Sequence, residues 1–301
     1  MTMNQSEMIA KMERGDGFIA ALDQSGGSTP KALAGYGIEE GAWSTDEEMY
    51  DLIHQMRSRI ISAPSFGSGK VIGAILFERT MDGEVGGKPT SQALIDRGVV
   101  PFIKIDKGLE AEENGVQMMK PMPGLDALLE RAKSLGVFGT KERSVINSAN
   151  LGGIAVLVAQ QFQVAKQVLA HGMMPIVEPE VNIKSADRAE SDRLLLSAIT
   201  EELDGIPEGQ RVMLKLSIPA EPGLFDPLID HPKVLRVVAL SGGFSRQEAC
   251  RELAKNPGMI ASFSRALLSD LRAQQSDEEF NRTLGQAIDE IYEASVARIP
   301  A

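Results

Sequence analysis

Sulfur and imidazole chemistry have almost nothing to work with in this chain. Of 301 residues, one is cysteine and three are histidine. Cys250 alone can form neither an intrachain disulfide nor a thiolate zinc cage. Within Arg246-Gln247-Glu248-Ala249-Cys250-Arg251-Glu252-Leu253 it reads as a small helix residue rather than a nucleophile. His54, His171 and His231 are scattered without zinc-ligand spacing, so a metal-dependent mechanism has little to stand on and no metal or cofactor is expected. No apolar run approaches the roughly 20 residues of a membrane span. The opening Met1-Thr2-Met3-Asn4-Gln5-Ser6-Glu7 has neither the basic nor the apolar part of a signal peptide. The expected location is therefore the cytoplasm, with no membrane partner. Positive charge is in deficit: 31 Lys and Arg face 42 Asp and Glu, a net charge of -11. That balance weighs against a nucleic-acid partner. It leaves room for an anionic small molecule, because a local cluster of cations can override the global field.

What is present is a β–α alternation from end to end. Apolar runs predict strands over 17–22, 71–76, 99–105, 144–146, 174–177, 212–216, 234–240 and 259–263. Between them, helical patterns cover 49–61, 126–135, 153–169, 185–203 and 280–296. Thr45-Asp46-Glu47-Glu48, Ser245-Arg246-Gln247-Glu248 and Ser276-Asp277-Glu278-Glu279 read as capping boxes. Eight strands alternating with helices favour a closed parallel barrel over an open sheet, and one such barrel commonly takes about 250 residues. The expectation is an α/β fold, a (β/α)8 TIM barrel with an N-terminal and a C-terminal helix, forming a single domain over 1–301. The turn-rich stretches 82–87 and 220–230 are too short to separate domains.

Lys215 is the most informative residue. It ends the apolar run Val212-Met213-Leu214, where a lysine is rarely tolerated without a partner. In a barrel of this kind the site lies at the C-terminal strand ends. Those ends read Asp23-Gln24-Ser25-Gly26-Gly27-Ser28 after the first strand, Lys104-Ile105-Asp106-Lys107 at the third, Lys141-Glu142-Arg143 just before or within the fourth, Glu178-Pro179-Glu180 at the fifth and Ser241-Gly242-Gly243 after the seventh. Ser264-Arg265 follow the eighth. A desolvated lysine beside carboxylates is equipment for imine chemistry on a carbonyl compound. Ser-Gly-Gly lets backbone N–H groups approach an anion, at the place where such barrels hold phosphate, and Arg265 would add a forked charge. Each feature also has a plainer reading. Asp23 could be a turn former, and Lys104 with Asp106 and Lys107 a solvated turn. Lys141 and Arg143 could be a basic loop. Glu178 and Glu180 could be structural partners of those bases or ligands of a hard metal. Gly67-Ser68-Gly69-Lys70 only imitates a phosphate loop: the spacing is incomplete, Val71 replaces the hydroxyl residue, and a strand follows.

Taken together, Ala21-Leu22-Asp23-Gln24-Ser25-Gly26-Gly27-Ser28, Ile103-Lys104-Ile105-Asp106-Lys107-Gly108, Val177-Glu178-Pro179-Glu180, Leu214-Lys215, Leu240-Ser241-Gly242-Gly243 and Ser262-Phe263-Ser264-Arg265-Ala266 resemble class I fructose-bisphosphate aldolase, looking closest to its shorter bacterial branch. The resemblance implies metal-independent cleavage of fructose 1,6-bisphosphate to dihydroxyacetone phosphate and glyceraldehyde 3-phosphate. It implies Lys215 as Schiff-base lysine, Glu178 as general acid/base, Glu180 as its support, Asp23 as the residue orienting substrate hydroxyls, and Lys141 as the cation keeping the site electropositive. Ser25, Ser28, Lys104 and Arg143 would lie near the far phosphate. Ser241, Gly242, Gly243 and Arg265 would hold the phosphate of the imine-forming half. Two departures stand out. Ala32 occupies the place of an arginine found in many animal relatives, and the end Val296-Ala297-Arg298-Ile299-Pro300-Ala301 lacks their tail with its terminal tyrosine. The alternatives are a Schiff-base aldolase or transaldolase for another sugar phosphate, or a non-catalytic sugar-phosphate-binding barrel. Homo-oligomerisation stays open.

Overall fold

The computed structural model describes residues 3–297. Eight parallel strands form one sheet in sequential order: β1 (Phe18–Leu22), β2 (Val71–Leu76), β3 (Val100–Lys104), β4 (Gly139–Ile146), β5 (Met174–Val181), β6 (Val212–Ser217), β7 (Val234–Leu240) and β8 (Ile260–Ala261). The Ala21 N–H donates to the Phe263 carbonyl at 3.1 Å and brings the last strand back to the first. The architecture is a (β/α)8 TIM barrel. Every residue of β1 and β2 is buried, as expected for strands covered on both faces.

Alternation along the strands sorts the core into two parts. Ile19, Ile72, Phe102, Ile176, Met213 and Val238 fill the barrel interior. Phe18, Leu22, Ile103, Val177, Leu214 and Val237 pack beneath the outer helices. Helix α1 (Gln5–Arg14) brings Met8 and Met12 into the interior cluster, so the barrel is plugged at its N-terminal end. At the other end the inward positions turn from apolar to charged, and the cleft opens there.

Further helices are α2 (Ser28–Tyr36), α3 (Asp46–Ser62), α4 (Leu125–Ser134), α5 (Leu151–Ala170), α6 (Arg188–Asp204), α7 (Arg246–Leu253) and α8 (Asp277–Val296). Reciprocal capping boxes open α3 and α7. At α8, Ser276 accepts from the Glu279 N–H, which is one half of the expected pair.

Three boundaries differ from the sequence reading. β4 starts at Gly139 rather than 144, so Lys141-Glu142-Arg143 lie within a strand. β5 continues past 177 to Val181, which places Glu178 and Glu180 within the strand. Charged side chains hid both extensions, because a buried strand is read from apolar runs. β8 is reduced to two residues. The 82–87 stretch belongs to a hairpin of Glu84–Val85 with Lys88–Pro89, and a short helix, Asp226–Ile229, occupies part of 220–230. Residues 298–301, compared above with the tyrosine-bearing tail, lie outside the described residues. No helix is long and apolar enough to cross a membrane among the described residues.

Candidate active site

The strand register sets the charged groups side by side. Lys104 on β3 pairs with Lys141 on β4, and Arg143 on β4 pairs with Glu178 on β5. Lys215 stands on β6, beyond Glu178. The Lys215 Nζ lies 3.2 Å from Glu178 Oε1, and the Lys141 Nζ lies 2.9 Å from Glu178 Oε2 and 2.6 Å from Asp23 Oδ2. Two lysines and two carboxylates thus form one chain of contacts, each residue less than a tenth exposed. From outside the wall, the Gln161 side chain on α5 donates to the Glu178 carbonyl at 3.1 Å and pins that point of β5.

Two further ion pairs rim this centre. Lys104 Nζ donates to Asp106 Oδ1 at 2.6 Å and to its carbonyl at 2.9 Å. The solvated-turn reading of these residues fails, because both side chains are largely buried. Arg143 Nε donates to Glu180 Oε2 at 2.5 Å. The Ser28 hydroxyl donates to the Ser25 carbonyl at 2.8 Å and accepts from the Ser25 N–H at 2.9 Å, which closes the loop after β1.

All these groups face a cleft of about 960 Å³. Every residue to which the resemblance gives a role lines it except Gly243, which flanks it: a Cβ there would lie 3.7 Å from the Arg265 guanidinium. Gly242 and Gly243 have φ of 57° and 109°, a region that disfavours other residues, so this turn requires glycine. Arg265 is exposed and makes no ion pair or hydrogen bond among the described residues. The lining carries six cationic side chains, Lys31, Lys104, Lys141, Arg143, Lys215 and Arg265, against the carboxylates Asp23, Asp106, Glu178 and Glu180. The cleft is cationic although the protein is acidic.

A family model for glycolytic class I fructose-bisphosphate aldolase matches residues 4–195, well over half of the chain. The chain belongs to the class I fructose-bisphosphate aldolase family. Its members bind sugar phosphates and are lyases. The solved structure of Plasmodium falciparum fructose-bisphosphate aldolase, in complex with TRAP and a small-molecule inhibitor, is similar at a TM-score of 0.75 and 20% identity over 99% of this chain and 95% of that one. The Cgl0159 protein of Corynebacterium glutamicum is similar at a TM-score of 0.55 and 15% identity, over 96% of this chain and 92% of that one. At these identities the likeness is one of fold. Lys215, Ser241 and Arg265 lie beyond the matched residues, and geometry alone joins them to the rest of this aldolase-family site.

The electrostatics follow from the contacts. Burial pushes the Asp23 carboxyl up, but Lys141, Lys215 and Lys104 outweigh it and hold the group well below the usual carboxylate range. Burial also works against the Lys141 ammonium. Asp23, Glu178 and Asp106 overcome it and raise Lys141 above the ordinary lysine value. Lys104 moves the other way: burial lowers it, and Asp106 only partly compensates. Cys250 lies on α7 away from the cleft, and burial raises its thiol to about 11, which suits an inert thiol.

The sequence reading gave no functional role to four residues. Lys31 on α2, beside Ala32, supplies a cation to the lining. Asp106 is the buried partner of Lys104. Arg57 on α3 is completely buried and touches the loop after β1. A signal existed: Arg57 sits four residues after Ile53 and three before Ile60, on the apolar stripe of an amphipathic helix. Glu142, between Lys141 and Arg143, points to the opposite face of β4 and is also completely buried. Neither of its oxygens has a hydrogen-bond partner among the described residues. Burial, with Asp106 and Glu178 nearby, raises its carboxyl well above the ordinary value.

Proposed function

We propose that this chain catalyses the reversible, metal-independent aldol cleavage of D-fructose 1,6-bisphosphate to dihydroxyacetone phosphate and D-glyceraldehyde 3-phosphate, the step that serves glycolysis and gluconeogenesis. The reaction runs through a Schiff base on Lys215. The observation that carries the reading is the 3.2 Å approach of Lys215 Nζ to Glu178 Oε1 at the head of the cleft. An amine must be neutral to attack a ketone, and a carboxylate at this distance can take and return its protons.

The contacts support the following steps. The Lys215 amine adds to the substrate ketone to give a carbinolamine. Glu178 delivers the proton with which the hydroxyl leaves as water, and a protonated imine remains. The C3–C4 bond then breaks, and its electron pair flows into the imine to give an enamine. The C4 hydroxyl loses its proton to Asp23, which the neighbouring lysines keep ionised, and the aldehyde product departs. Protonation of the enamine carbon and hydrolysis of the imine release the second triose phosphate and regenerate the amine. Lys141 holds both carboxylates in place, and Glu180 fixes Arg143.

Phosphate at both ends of the substrate is supported by the ring itself. Lys104 and Arg143 stand on β3 and β4, whereas Ser241, Gly242 and Arg265 follow β7 and β8, across the barrel. A Schiff-base aldolase or transaldolase for a monophosphate would need cations on one wall only. A coupled assay with fructose 1,6-bisphosphate, fructose 1-phosphate and sedoheptulose 1,7-bisphosphate, with and without EDTA, tests the reading. Fructose 1,6-bisphosphate should be cleaved with the highest kcat/KM, and EDTA should leave the rate unchanged. Absence of cleavage, or loss with EDTA and recovery with zinc, would reject it.

A further inference from the structure

Asp23 after β1 and Arg265 after β8 flank the seam where the barrel closes. The seam is thin, because β8 has two residues and meets β1 through the Ala21 to Phe263 hydrogen bond of 3.1 Å. Directly above it, the Gln24 side-chain amide donates to Ser264 Oγ at 2.6 Å and to the Ala21 carbonyl at 3.3 Å. Gln24 adjoins Asp23, and Ser264 adjoins Arg265. Gln24 is itself held from behind. Arg57 Nη2 donates to the Gln24 carbonyl at 2.5 Å and to its side-chain oxygen at 3.2 Å, while Nη1 donates to Thr80 Oγ1 at 2.7 Å.

Arg57 is an expensive residue for a helix stripe otherwise made of Met49, Ile53, Met56, Ile60 and Ile61. It is completely buried, and no carboxylate pairs with it among the described residues. A guanidinium buried against neutral acceptors is a net burden on folding, whereas an apolar side chain of similar volume would simply pack. Nη2 gives both of its bonds to one residue of the substrate-facing rim, Nη1 is braced by Thr80, and the planar fork fixes direction as well as distance. Burial lowers Arg57 to about 10, with Asp23 and Tyr50 opposing, so the group is charged at neutral pH.

We propose that Arg57 is a positioning residue: through Gln24 it locks the Asp23 loop and the Arg265 loop into one register, so that cleavage and phosphate recognition are aligned together. The inference rests on the aldolase reading for what Asp23 and Arg265 do. The clasp itself is a statement about two loops and is tested without substrate.

Gln24→Met removes the side-chain links to Ser264 and to Arg57 while keeping side-chain length and the Arg57 bond to the main-chain carbonyl, and Ser264→Ala removes only the link to the β8 side. In both variants, hydrogen exchange of the backbone amides around Ser264 and Arg265 should accelerate at least about fivefold, the size of one lost hydrogen bond. In kinetics, Ser264→Ala should raise KM more than it lowers kcat. Gln24→Met should worsen both by about five- to tenfold. Ser264→Ala added to Gln24→Met should have no further effect. Arg57→Met removes both bonds that hold Gln24 from behind and should change exchange and kinetics in the same direction as Gln24→Met, and Arg57→Lys should recover part of the loss. Unchanged exchange in Gln24→Met overturns the clasp, as does full additivity of the two loop variants. If the wild type fails to cleave fructose 1,6-bisphosphate, the proposed function falls while the exchange result still decides the clasp. Should Arg57→Met fail to fold, the Gln24 and Ser264 variants carry the test.

Discussion

Lys215 and Glu178 face one another across 3.2 Å on adjacent strands, and Glu178 reaches Lys141 at 2.9 Å with its other oxygen. One carboxylate therefore touches both the proposed nucleophile and the cation that organises the site. Replacing it separates proton transfer from binding. Glu178→Gln should slow turnover about 10²–10⁴-fold, the usual size of general acid–base catalysis, with a smaller change in KM. Preserved turnover per folded molecule, with lowered stability instead, would make Glu178 a structural residue.

Lys141 sits between two carboxylates, so its removal should appear in a pH profile. In the wild type the lysines hold Asp23 well below the ordinary range, and Asp23 stays ionised as pH falls through 4. Lys141→Met removes the largest lowering influence on that carboxyl. The acid limb of kcat/KM should move up by about 1–3 pH units, the shift expected from losing an adjacent opposite charge. An acid limb that does not move would mean that Asp23 is not the group whose protonation stops cleavage.

The barrel and most of the charged residues that line its mouth were legible in the sequence, and the reasons are specific. Lys215 stood out because an interior lysine contradicts an apolar strand. Glu178 and Glu180 were read at the end of a strand predicted to stop at Val177, and the strand in fact continues through them to Val181, because an apolar run stops where a strand begins to carry charge. Glu142 was invisible for a related reason: between Lys141 and Arg143 it looks like part of a charged turn, and only the strand extension reveals that its parity buries it. Arg57 had a helical-period signal, but its target, Gln24, lies 33 residues away in sequence, a pairing that no local pattern contains. Gly243 was grouped with Ser241 and Gly242; it flanks the cleft, and its positive φ is a reason for glycine at that turn.

Glu142 should make stability depend on pH. Its carboxyl is raised in the folded protein and ordinary, near 4.5, in the unfolded chain. The folded state therefore holds a proton that the unfolded chain releases. Its stability contribution is fully present below about pH 4.5 and is lost as pH rises toward the folded value. Glu142→Gln has no proton to lose. The variant should gain on the wild type by up to about 1.4 kcal/mol per pH unit above that point, and the two should converge at acid pH. Thermal melts of both proteins at several pH values check this. A constant difference at every pH would contradict it.

The Arg265 side chain makes no ion pair or hydrogen bond among the described residues and should show its use only with a phosphate present. Arg265→Ala should reduce kcat/KM for fructose 1,6-bisphosphate by about 10- to 150-fold, the size of one charge-assisted hydrogen bond. The loss should be similar with fructose 1-phosphate and small with an analogue lacking that phosphate. Equal losses on all three would mean that the phosphate is held elsewhere.

The most direct test of the central claim is chemical trapping. Borohydride added with dihydroxyacetone phosphate should reduce an imine and leave one triose phosphate per chain, located by peptide mapping at Lys215. Lys215→Ala, folded by circular dichroism, should trap none. An adduct at Lys104 or Lys141, or undiminished trapping in Lys215→Ala, would contradict the assignment of Lys215 as the nucleophile.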